Sequence, residues 1–104
     1  PEIPKNILST FHLYVIKVKH KYINHHEKFF NYLRNNKINV NLHYIPVHLH
    51  PYYKKLGFKK GDYKVSERHA ESSVSIPIFP GLKSNEFKNI SNLINKFFVK
   101  LDKK

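Results

Sequence analysis

Residues 41 to 58 read NLHYIPVHLHPYYKKLGF and bring together three imidazoles (His43, His48, His50), three phenols (Tyr44, Tyr52, Tyr53) and two prolines (Pro46, Pro51). Three neutral imidazoles could ligate zinc and leave a coordination position open for chemistry. The spacing works against that, because His48 and His50 share a face only if the segment is extended, and the stretch holds no Cys, Asp or Glu to complete a site. Polar loop residues packed against prolines and tyrosines are the favoured reading over a metal centre.

Other reactive constellations are sparse. Hydrolysis needs a paired nucleophile and base or two carboxylates. The chain has only seven acids, and Glu67 and Glu71, four residues apart on a predicted helix, read as a solvated face. The pairs Lys54-Lys55 and Lys59-Lys60 flank Gly57-Phe58 and could meet a phosphate, though such charge runs are usually surface.

The elements that must position these residues follow from periodicity. FHLYVIKVK (11 to 19), rich in β-branched and aromatic residues, predicts a strand. Its alternation puts His12, Tyr14, Ile16 and Val18 on one face and Phe11, Leu13, Val15 and Lys17 on the other, so both faces should be covered and a base-stacking platform is disfavoured. A helix follows from Asn24 as N-cap, with Phe29, Phe30 and Leu33 at helical spacing and Asn35-Asn36 as its stop. Ile38, Val40 and Leu42 alternate with Asn39, Asn41 and His43, which predicts a half-buried strand delivering His43 and Tyr44 to its end.

Pro46 and Pro51 then shape a long loop, with a short helix begun by Pro51 and closed by Gly57. YKVSERHAESS (63 to 73) predicts a helix with Val65, His69 and Ser72 or Ser73 inward. SVSIPIF predicts an apolar strand that Pro77 and Pro80 confine to a sheet edge or to a short pairing. The last helix starts from Ser84 as N-cap and carries Phe87, Ile90, Leu93, Ile94, Phe97 and Phe98 on one face. The sum is an α+β domain, a small mostly antiparallel sheet with helices packed largely on one face.

A chain of 104 residues supports one domain, 1 to 104. Its formal charge of +12 raises a stand-alone basic RNA- or DNA-binding module as the alternative function. All but Arg34 and Arg68 of the 19 basic residues are lysines, scattered among Asn, Ile, Phe and Tyr, a mix that AT-rich coding produces. With no cysteine, disulfides, thiolate metal sites and thiol catalysis are excluded, and a reducing cytoplasm fits. The apolar runs fall short of the roughly twenty residues of a membrane span. The start at Pro1, without Met, predicts a processed product or a piece of something longer.

The ordered stretches HLYVIKV, LRNNKINVNLHYIPVHLHPYYKKLGF and AESSVSIPIFPGL, closed by an amphipathic helix, resemble the C-terminal part of the DegT/DnrJ/StrS family of nucleotide-sugar aminotransferases. The resemblance implies the small domain of a fold-type I pyridoxal-phosphate enzyme. HYIPVHLHPYYKKLG is most similar to members that aminate a UDP-linked 4-keto-6-deoxy sugar on the pseudaminic acid route. It further implies that His43, Tyr44, Pro46, His48 and Tyr52 contact substrate, and that glutamate is the amino donor. The Schiff-base lysine and the rest of the pyridoxal phosphate site would lie in a large N-terminal domain to which nothing here corresponds. On this reading the chain alone binds no cofactor and holds no catalytic residue, is inactive, and exposes apolar surface suited to that domain or to a homo-oligomer.

Overall fold

The computed structural model describes residues 3–103; Pro1, Glu2 and Lys104 lie outside the described residues, and with them the expectation placed on the chain's start. Strand β1 (Tyr14–Lys17) pairs antiparallel with β2 (Ser73–Ile76), in the register Tyr14 opposite Ile76 and Lys17 opposite Ser73. Four helices accompany them: α1 (His26–Asn35), α2 (Pro51–Lys55), α3 (Lys64–Ser72) and α4 (Ser84–Asp102). The class is α+β, as the periodicity predicts.

The sheet's two faces differ in chemistry. Side chains directly opposite in an antiparallel pair share a face, so Tyr14, Ile16, Val74 and Ile76 form one side and Val15, Lys17, Ser73 and Ser75 the other. The first face meets Phe29 and Leu33 of α1 and Ile90 of α4 in one core with Val18, Ile38 and Val40. Phe29 lies 4.9 Å from the ring of Phe98 and 5.2 Å from that of Phe97, so α4 lies against α1 through aromatic contacts as well as aliphatic ones. The end of α4 is fastened by Asp102, which accepts from the Tyr22 hydroxyl and pairs with Lys21 Nζ at 3.0 Å. Those two hydrogen bonds, Tyr22's first, hold the Asp102 carboxyl below its usual range.

Several expectations are corrected. β1 is four residues long rather than nine, because its partner is only Ser73–Ile76 before Pro77. Phe11 and Leu13 stay exposed, so the first strand segment is not covered on both faces. The strand expected over 38 to 44 reduces to a single bridge: Asn41 and Ser75 exchange both backbone hydrogen bonds, at 3.1 and 2.8 Å. Ile38 and Val40 are buried, whereas Leu42 is exposed where the chain has left the sheet. Of the two expectations for β2, the short pairing holds, at four residues, and the sheet edge does not. The strand is flanked by β1 on one side and Asn41 on the other, since Pro77 removes no donor from residues 73 to 76.

The helix starts also shift. Asn24 sits inside a 3₁₀ turn, His20–His25, and does not cap α1. Lys83, not Ser84, stands at the cap of α4, its N–H donating to the Glu86 carboxylate at 2.8 Å. Phe87 on α4 is 54% exposed and Val65 on α3 is 85% exposed; neither faces inward. On α3 the buried positions are Glu67 and Ser72.

Candidate functional site

The polar face of the sheet and the segment that leaves it together build the site. After Lys37, whose φ of 62° turns the chain out of α1, residues 38 to 41 run beside β2 and bring His43 over Ser75. His43 Nδ1 lies 2.6 Å from Ser75 Oγ. Ser75 is buried, and the hydrogen bond fixes the half-buried imidazole on one nitrogen. A broad open cleft of about 690 Å³ begins here, lined by His12, Asn39, Asn41, His43, Ser75 and, from α4, Asn89. Its floor is apolar, with Ile38, Ile76 and Ile90. Amides and imidazoles above an apolar floor can hold a neutral, hydroxyl-rich ligand by directional hydrogen bonds.

The five residues assigned to substrate do not form one cluster. His43 lines this cleft, and Tyr44 stands beside it with its ring edge-on to the imidazole at 4.5 Å and largely exposed. Pro46 is buried, and Tyr52 is exposed on α2, stacked edge-on to Tyr53 at 5.3 Å. His48 lies in a second, smaller pocket of about 300 Å³ walled by Val47, Tyr53, Phe58 and Tyr63.

The three imidazoles engage three different partners rather than converging: Ser75 for His43, Glu67 for His48, and the Ile45 carbonyl, at 3.2 Å, for His50. Among the described residues no group of three or more His, Cys, Asp or Glu side chains is placed to hold a metal ion.

Glu67, read from sequence as solvated, is the correction that matters most here. It is 7% exposed and accepts from His48 Nε2 at 2.8 Å, so Nε2 carries the hydrogen. The Gly61 N–H donates to both its oxygens at 2.8 and 3.0 Å, and the Tyr63 N–H reaches one at 3.4 Å. The hydrogen bond from His48 lowers the Glu67 pKa from its ordinary value against the opposing effect of burial, with the Gly61 and Tyr63 N–H groups assisting. A carboxylate in the first turn of a helix, four residues after the residue that caps it, is a signal sequence reasoning could have used. Glu71 is exposed and pairs with Lys60 at 3.0 Å, as a solvated face would have it.

Pyridoxal phosphate requires a lysine amine, a carboxylate for its ring nitrogen and a group of phosphate donors in one place. The broad cleft offers Lys37 and Glu86, and Glu86 is already engaged by the Lys83 N–H. The lining of this cleft, taken among the described residues, therefore does not fit the cofactor. Among the described residues no helix is long and apolar enough to cross a membrane.

Comparison with known proteins bears on what this site belongs to. The uncharacterized protein MJ1066 of Methanocaldococcus jannaschii is 35% identical over 99 residues, covering 92% of this chain and 25% of that protein. Among solved structures, Helicobacter pylori PseC, an aminotransferase involved in the biosynthesis of pseudoaminic acid, superposes with a TM-score of 0.78 at 25% identity over 86% of this chain and 24% of its own. Spr1654 from Streptococcus pneumoniae gives a TM-score of 0.76 at 26% identity, covering 89% of this chain and 24% of that one, and is solved in apo and PMP forms. The chain thus spans about a quarter of the length of the relatives it matches. The family model matches residues 2–95, the stretch that builds the sheet, the cleft and most of α4. The chain belongs to the DegT/DnrJ/EryC1/StrS aminotransferase family.

Proposed function

We propose that this chain is the substrate-facing small domain of a sugar-nucleotide aminotransferase acting on a UDP-linked 4-keto-6-deoxy sugar. The amination it serves is the one that makes UDP-4-amino-4,6-dideoxy-N-acetyl-β-L-altrosamine, on the route to pseudaminic acid. The remainder of such an enzyme holds pyridoxal phosphate, which supplies the amino-transfer chemistry, with glutamate as donor and the cytoplasm as location. This chain's part is to bind and orient the sugar.

The observation that carries the reading is His43 on Ser75 at the polar rim of the cleft. Ser75 holds Nδ1 and leaves the other ring nitrogen for a sugar hydroxyl or a phosphate oxygen. Tyr44 adds a phenol beside it, and Pro46 fixes the departure of the wall that runs to Tyr53. Preorganised donors of this kind lower the ordering cost of binding a flexible ligand. The likeness to PseC supports the choice of sugar.

The test is His43→Ala in the intact enzyme that carries this chain. The half-reaction with the sugar nucleotide should weaken by about 0.5–1.5 kcal/mol, while the half-reaction with the amino donor stays near wild type. Equal loss in both would make His43 a residue of the fold.

A further inference from the structure

The chain from Pro46 to Tyr63 leaves the core and returns to it, and residues 51 to 60 along it are all exposed. Such an excursion has little apolar burial to hold its shape. Aromatic rings line its inner side, His48 on Tyr63 at 4.8 Å, Phe58 on Tyr63 and Tyr53 on Phe58 each at 6.2 Å. Ring contacts tolerate a range of angles and distances. Hydrogen bonds to a fixed carboxylate are more exacting.

Among the described residues, apart from the exposed Lys60–Glu71 pair, the side-chain hydrogen bonds from this excursion to α3 all end on Glu67. One buried side chain thus fastens both ends of it: His48 at the start, Gly61 and Tyr63 at the return. Gly61 takes a φ of 100°, open to glycine, as it presents its N–H to both carboxylate oxygens.

We propose that Glu67 is a positioning residue, setting the conformation of the Pro46 to Tyr53 wall by holding His48 and the Gly61 turn at once. The inference rests on the reading of that wall as part of the sugar-nucleotide site. A carboxylate is suited to the task because it offers about four acceptor positions and no donor. Glu67→Gln keeps the size and part of the acceptor capacity. Glu67→Ala leaves His48 Nε2 and the Gly61 and Tyr63 N–H groups without their partner.

The test is amide hydrogen exchange, read by NMR on the wild-type chain and on Glu67→Ala and Glu67→Gln, with no sugar nucleotide present. Protection at Leu49, Lys54 and Gly61 should fall by about tenfold or more in the alanine variant and by less in the glutamine variant, while Val18, Val40 and Ile90 keep theirs. Unchanged protection in the loop would overturn the proposal. So would equal loss in loop and core, or failure of both variants to fold, since either makes Glu67 a residue of the whole domain. Because no ligand enters the experiment, failure of the substrate reading would leave its result standing, and the reverse holds as well.

Discussion

His48 Nε2 meets Glu67 Oε1 at 2.8 Å across nineteen residues of chain, with both side chains buried. The pair joins a histidine at the site's loop to an acid of the helix behind it. The loop's shape and the helix's ionisation are thereby linked.

That linkage has a pH signature. A carboxyl whose pKa is lower in the folded than in the unfolded state adds stability above its unfolded value and loses it as pH falls through the folded one. Glu67 is such a group, lowered chiefly by the bond from His48. The stability of the Pro46 to Tyr63 excursion relative to the core, read as the ratio of hydrogen-exchange protection at Gly61 to that at Val18, should be higher in the wild-type chain than in Glu67→Gln near neutral pH, and the gap should close on acidification below the ordinary carboxylate range. Exchange of both proteins in a pH series, each amide corrected for its intrinsic rate, checks this; a gap independent of pH contradicts it.

Core residues predict a larger and pH-independent effect. Leu33 is fully buried on α1, within the cluster that joins β2 to α4. Leu33→Ala should cost about 2–5 kcal/mol, a large share of the roughly 5–15 kcal/mol that holds a domain of this kind together. Urea unfolding of the two proteins measures the difference.

Cofactor chemistry should not be recoverable from the chain alone. With Glu86 engaged at the start of α4, no lysine of the cleft has the setting of a Schiff-base residue. Pyridoxal phosphate followed by borohydride should label the exposed lysines slowly and at scattered positions. Stoichiometric labelling of one lysine, found by peptide mass spectrometry, would contradict this.

How far the sequence foretold the structure depended on whether local pattern or distant partners decided each element. Phe29 and Leu33 on α1 and Ile90 on α4 lie where helical periodicity puts them, because an amphipathic helix carries its own signal. The alternation of Ile38, Val40 and Leu42 marked two buried side chains correctly but not a strand, since the next bonded pair before Asn41 would set Asn39 opposite Pro77, which has no N–H to give, and after Asn41 the chain leaves β2 at the exposed Leu42. Phe87 and Val65 follow the apolar rule and stand exposed, which no single-chain pattern reveals. Periodicity put His43 at the end of an extended segment and the family resemblance implied its contact with substrate, whereas neither pointed to its anchor Ser75. Glu67 was missed because an acid four residues from another on a helix has the same spacing whether it is solvated or buried; its donors come from Gly61 and His48, outside the helix.

The claim that this domain presents its polar cleft to a sugar nucleotide is tested most directly by an NMR titration of the chain with UDP-N-acetylglucosamine, beside a parallel titration with single-stranded RNA. The expected result is saturable shifts confined to His43, Tyr44, Asn41, Ser75 and the Pro46 to Tyr53 wall, with little dependence on salt. Absence of shifts at those residues, together with RNA-induced shifts across the lysines that fade steeply as salt rises, would contradict it and make the chain a basic nucleic-acid-binding module.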